Sequence, residues 1–122
     1  MDKTFLLIGA AAGFAGVALG AFGAHVLRSR LAPDMLAVFE TAVRYHMYHA
    51  LAIVMVGLIA ARLDGWMIRA AGWCFSAGIV LFSGSLYALA LTGVTMFGAI
   101  TPIGGLAFLA GWACLAIAAA SL

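Results

Sequence analysis

Charged residues are scarce in this 122-residue sequence, in which Asp, Glu, Lys and Arg together make up only 8%. An ordinary soluble domain carries about 25% charged residues. Hydrophobic residues make up 67% of the chain, which is more than a domain of this size can bury in a core. The scarcity of positive charge also argues against nucleic-acid binding, which needs a stripe of Lys and Arg. The composition therefore predicts an integral membrane protein.

The few charges are confined to three short windows, at residues 2–3, 28–44 and 62–69. The longest stretch without a charge is 70–122, which is 53 residues long. As one helix it would be about 80 Å long, against about 30 Å for the hydrocarbon core of a bilayer. It must therefore turn back, and the segment from Gly93 to Pro102 contains the residues of a turn. We predict four spans, at about residues 5–27, 47–61, 70–91 and 101–120.

The second span is short if only its continuous apolar run is counted. Apolar residues at helical spacing extend it back to Pro33, and proline is common in the first turn of a helix. Such an amphipathic first half is expected at the membrane interface. The predicted fold class is therefore all-α, an integral membrane four-helix bundle with a partly interfacial, bent second helix. Residues 1–122 are expected to form a single four-span transmembrane domain.

Glycines recur along the first span in steps of four and three residues, so they share one helical face. This glycine seam consists of Gly9, Gly13, Gly16, Gly20 and Gly23. Small residues four apart let a second helix approach closely. The seam predicts close packing inside the bundle, and the alternative is a homo-oligomer that forms through the same face.

Polar side chains concentrate between His25 and His49, where any chemistry is expected. At about 100° per residue, most of them cover one broad half of the second helix. A polar half-cylinder on a membrane helix must face headgroups, a partner chain or a polar cavity. We predict a ligand-binding site near one membrane face, formed by His25, Glu40, Arg44, Tyr45, Tyr48 and His49.

His46 and His49 are three residues apart and could share a metal ion, with His25 or Glu40 as a third ligand. Neither an HExxH motif nor a pair of cysteines accompanies them, so metal binding stays open and no cofactor is predicted. The serines of the third span lie in a half of the chain that has no histidine. No nucleophile and base are therefore paired, no catalytic residue is predicted, and a non-enzymatic role is favoured.

Two stretches, Gly20–Leu27 and Phe39–Ala52, combine into a distinctive pattern. Further pieces follow at Leu81–Tyr87, Ile100–Gly105 and Gly111–Trp112. Over nearly its whole length the chain resembles the domain of unknown function 423 family, the YgdD-like small inner-membrane proteins. The resemblance implies a multi-pass inner-membrane protein and brings no activity with it. It places His25 and His49 on the family's most recognisable histidines, whereas His46 falls where members often have Gln.

These features predict a membrane protein that binds a lipid headgroup, a small molecule or an ion at its His/Glu/Tyr cluster. The alternative is a non-catalytic accessory or assembly subunit of a membrane complex. A chain of 122 residues favours that alternative, because it has little room for a transport path. The expected partners are membrane lipids, and nucleic acid is not expected. A second copy of the chain, bound through the glycine seam, is the alternative to packing of that seam inside the bundle.

Overall fold

The computed structural model describes residues 1–63 and 65–122, and these form helices and the turns that join them. In chain order the helices are α1 (Lys3–His25), α2 (Pro33–Ile59), α3 (Trp66–Gly78), α4 (Gly84–Thr92) and α5 (Thr101–Ala120). A π-helical segment, Ile79–Ser83, joins α3 to α4 within one continuous span. Short 3-10 turns at Leu27–Ser29 and Thr95–Ala99 follow α1 and precede α5.

Four helical stretches are long and apolar enough to cross a membrane, each 26 or 27 residues in length. The predicted all-α, four-span architecture is therefore confirmed. The second span is longer than its apolar run of 47–61, because the helix begins at Pro33 as the helical spacing indicated. The bend of α2 and its partial location at the interface stay predictions.

Local side-chain chemistry explains where the helices begin and end. The Asp2 carboxylate caps α1 by accepting the Thr4 N–H at 2.9 Å. The Asp2 N–H donates to the Gly57 carbonyl at 2.8 Å, which fastens the N-terminus to the end of α2. Gly93, at φ +71°, ends α4 in the left-handed conformation that favours glycine. Pro102 then lies in the first turn of α5.

The glycine seam of α1 packs against α2 of the same chain. A methyl carbon added at Gly9 would lie within 3 Å of Val54, and one added at Gly23 would lie within 3 Å of Phe39. Gly13 differs, because a methyl carbon there would have no neighbour within 4 Å. Close packing inside the bundle accounts for the seam, and a homo-oligomer through it stays a prediction.

Helix α2 is the central element of the bundle, since it lies between α1 and the third span while α5 packs against the third span. One core cluster includes Phe5, Ile53 and Phe75 and joins α1, α2 and α3. A second includes Phe39 and Ala90 and joins α2 to α4. Helix α2 therefore contributes buried side chains to both core clusters.

Candidate functional site

An open groove of about 760 Å³ runs between α2 and α5. Helix α2 contributes Tyr45, Tyr48 and His49 to its walls, the π-helical segment contributes Phe82, and α5 contributes residues from Pro102 to Trp112. Tyr48 is 54% exposed, so the groove opens on the outer surface of the bundle. On a membrane helix that surface faces lipid, and the groove is therefore accessible from the bilayer.

The walls of the groove are built from aromatic rings in mutual contact. The Tyr45 ring packs against Phe82 with the centroids 4.8 Å apart and against Tyr48 at 5.9 Å. Phe82 in turn contacts Phe108 at 5.3 Å. Such tilted and edge-on contacts are favourable beyond the burial of area. The rings that line the groove thus contact one another directly, and their surface is apolar apart from the hydroxyls of Tyr45 and Tyr48.

His49 lies at the base of the groove, is only 4% exposed, and has a hydrogen-bond partner on each ring nitrogen. Its Nδ1–H donates to the Tyr45 carbonyl at 2.7 Å, and its Nε2 accepts the Trp112 indole N–H at 3.1 Å. The Phe108 ring stacks on the imidazole at 3.6 Å between centroids. Because an indole N–H can only donate, the arrangement requires the neutral imidazole with its proton on Nδ1.

The π-helical segment determines how closely α5 approaches the third span. The fully buried Ser83 hydroxyl donates to the Ala42 carbonyl at 2.8 Å and ties this segment to α2. On its other side, a methyl carbon added at Gly104 would lie 2.6 Å from the Phe82 Cα. The glycine thus allows backbone contact between α5 and the segment, which brings Phe82 into the groove wall. Single π turns are frequent at functional sites.

His46 lies outside the groove and connects three helices. Its Nε2–H donates to the Ala12 carbonyl of α1 at 2.7 Å, while its Nδ1 accepts the Tyr87 hydroxyl of α4 at 2.8 Å. A metal shared by His46 and His49 would therefore break hydrogen bonds on both rings. Within residues 1–63 and 65–122 there is no group of three or more His, Cys, Asp or Glu side chains placed to hold a metal.

The six predicted site residues do not form one cluster. Tyr45, Tyr48 and His49 line the groove, but His25, Glu40 and Arg44 do not. His25 is exposed at the end of α1, which packs on a different side of α2 from the groove. Glu40 and Arg44 are exposed on α2. His49 lies about 24 Å along α2 from Pro33, whereas His25 is the last residue of α1.

Several groove residues were not anticipated from the sequence, namely Phe82, Phe108 and Trp112. All three lie in uncharged, apolar spans, where an aromatic residue has no distinctive pattern around it. Of these three residues, Trp112 is the one that the sequence could have indicated, because an indole N–H within a membrane requires a hydrogen-bond acceptor. That acceptor is the ring of His49, 63 positions earlier in the chain.

Comparison with known proteins agrees with this architecture. The sequence model of a family described as Protein of unknown function (DUF423) matches residues 19–105. The chain belongs to this family. It is 48% identical over 118 residues to the UPF0382 membrane protein YwdK of Bacillus subtilis (strain 168), with 96% of each chain covered. A UPF0382 membrane protein of Staphylococcus epidermidis (strain ATCC 12228) is 47% identical over 116 residues, which cover 95% of this chain and 94% of the relative.

No solved structure matches the chain. The names of the relatives agree with the four spans, and the protein is a small multi-pass membrane protein. The resemblance seen in the sequence is thereby confirmed.

Proposed function

We propose that the protein binds the apolar part of an amphiphilic membrane molecule in the groove between α2 and α5. The supporting observation is the groove itself, since about 760 Å³ lies within the range of small-molecule sites, about 300–1,000 Å³. Its aromatic walls are preformed, so a ligand would not have to order them on binding. Its opening between two spans gives a molecule in the bilayer direct access.

The chemistry of the walls favours an apolar chain over an ion or a headgroup inside the groove. Both ring nitrogens of His49 already have partners, and the surrounding side chains are aromatic or aliphatic. The remaining polar side-chain groups in these walls are the hydroxyls of Tyr45 and Tyr48, and two hydroxyls do not replace the hydration shell of a charged group. The sequence left a lipid headgroup, a small molecule and an ion open as ligands. From the walls of the groove we propose an amphiphile whose apolar chain lies in the groove.

Quenching of Trp112 fluorescence by a phospholipid with brominated acyl chains tests this proposal. Trp66 and Trp73 are first replaced by Phe, so that Trp112 in the groove wall is the only tryptophan and can be excited selectively over tyrosine. The variant is purified in an unbrominated detergent, and the lipid is added at low ratios to protein. We expect saturable quenching, because a bromine-bearing chain in the groove contacts the indole.

A pair of matched glycine variants shows whether the quenching comes from the groove. A methyl carbon at Gly105 would meet only the Phe82 ring, at 3.8 Å, so the Gly105→Phe side chain has room to fill the groove. Gly13→Phe makes the same change on α1, where the added carbon meets nothing within 4 Å. Saturable quenching should disappear in Gly105→Phe and persist in Gly13→Phe.

Quenching that rises linearly with lipid, or that saturates equally in both glycine variants, would contradict lipid binding in the groove. The accessory-subunit alternative would then be the better account of the protein.

A further inference from the structure

Two opposite charges lie on an exposed ridge of α2 that starts at Tyr48 in the groove wall and runs toward the beginning of the helix. Each step of four residues along this ridge also turns about 40° around α2, away from His49. Glu40, Arg44 and Tyr48 follow one another at four-residue spacing, and all three side chains are exposed. Side chains at this spacing are about 5–6 Å apart at Cβ. Arg44 is thus one turn from Tyr48 in the groove wall, and Glu40 is one turn farther out. Among the described residues neither charge has an ion-pair partner, so both are available to a ligand.

Along the direction of the helices, Glu40 and Arg44 lie toward the end of the groove at which α5 begins, and this end is called the outer end. Helices α2 and α5 are separated by one returning span and run in the same direction, with the Tyr45 and Phe108 rings 6.5 Å apart. At 1.5 Å per residue, Glu40 is about 7.5 Å from Tyr45 along α2, and Thr101 is about 10 Å from Phe108 along α5. Both distances run toward the same membrane face. Glu40 therefore lies near the level at which α5 begins.

The order of the charges from the groove outward is first positive and then negative. A phospholipid that carries ethanolamine has a matching order, because its phosphate is attached next to the chains and its ammonium lies farthest out. Two carbons and an ester oxygen separate these groups, a length comparable with one helical turn of about 5.4 Å. An arginine hydrogen-bonds phosphate well, and a primary ammonium donates N–H groups to a carboxylate.

We infer that Arg44 and Glu40 bind the phosphate and the ammonium of a phosphoethanolamine headgroup whose acyl chain occupies the groove. This assignment rests on the proposed function and names its ligand class. A phosphoglycerol headgroup has no ammonium to offset the negative charge of Glu40. A phosphocholine headgroup carries a quaternary ammonium that has no N–H to donate.

The test compares brominated lipids that differ only in headgroup, with the single-tryptophan protein as reporter. Phosphoethanolamine should bind about fivefold more tightly than phosphoglycerol or phosphocholine, because exposed ion pairs contribute little each. Glu40→Gln should reduce the ratio of phosphoethanolamine to phosphoglycerol affinity to about one. Arg44→Gln should weaken the binding of both lipids, since it removes the contact with the phosphate that they share.

Asp34→Asn and Arg28→Gln are the matched controls, because they remove exposed charges of the same signs near the same end of the bundle. Both should keep the preference for phosphoethanolamine, and circular dichroism with gel filtration checks that every variant is folded.

Equal saturable binding of the three lipids by the reporter protein would overturn the headgroup assignment and leave the groove proposal standing. A loss of preference in Asp34→Asn as large as in Glu40→Gln would overturn the assignment as well, because surface charge in general would then explain it. Absence of saturable quenching by any lipid would refute the groove proposal itself.

Discussion

Adjacent glycines at the start of α5 allow a sharp test of how the last span is packed. Gly104→Ala would place a methyl carbon 2.6 Å from the Phe82 Cα and 2.7 Å from the Leu81 carbonyl carbon. These are backbone atoms, so the two spans would have to separate. The same change at Gly105 meets only a ring carbon at 3.8 Å, an ordinary contact. The two variants gain the same helix propensity, up to about 1 kcal/mol, which cancels in the comparison.

The expected difference in unfolding free energy is therefore the cost of overpacking, about 1–3 kcal/mol, with Gly104→Ala the less stable variant. Separation of the spans would also stretch the 2.6 Å hydrogen bond between the Ser85 and Thr101 hydroxyls, which adds to the loss. Unfolding in mixed micelles by increasing SDS, followed by circular dichroism, measures the difference. Equal stability of Gly104→Ala and Gly105→Ala would refute the close approach of α5 to the π-helical segment.

Further expectations concern the bridging histidine and the topology. Tyr87→Phe should lower the unfolding free energy by about 1 kcal/mol, because it removes the hydroxyl donor to His46. In the same SDS assay His46→Gln, which keeps a donor for the α1 carbonyl, should be more stable than His46→Leu, and the reverse order would contradict the bridge. Single cysteines at Ser29 and Ser121, in a chain without its native cysteines, should react with an impermeant maleimide from opposite sides of the membrane. Labelling from one side would contradict four spans.

The ends of the helices were predictable because they depend on local chemistry. Pro33 and Pro102 fit the first turns of α2 and α5, and Gly93 supplies the left-handed residue that ends α4. The scarcity of charged residues indicated that the helices lie in a membrane. The length of the uncharged stretches and the turn within the last one then gave four spans. None of these signals requires knowledge of a distant residue.

The site was predictable only in part, because helical periodicity gives the direction of a side chain but not the helix that it meets. It placed Tyr45 and His49 on one half of α2, and both line the groove. The same half included Glu40, which stays on the outer surface, and His25 was added from a helix that packs elsewhere. The other wall of the groove, which includes Trp112, exists because α5 packs close to α2 and the third span. No local sequence pattern shows that these helices meet.

The π-helical segment also determines which way the two halves of the third span face. Tyr87 follows Phe75 by twelve residues, and in an uninterrupted α-helix the two would point about 120° apart. One extra residue in the wider turn reduces that angle to about 20°, so both rings face α2, where Phe75 contacts His49 and Tyr87 contacts His46. A single-codon deletion between 79 and 83 would shorten this separation to eleven residues, and in an uninterrupted α-helix the two rings would again lie about 20° apart. The span could therefore lose its π turn without turning Tyr87 away from its histidine. Loss of one residue from the α-helical parts between Phe75 and Tyr87, with the π turn kept, would instead rotate Tyr87 by about 100°. The π segment is thus the place in this span where the length of the chain can change by one residue while both rings still face α2.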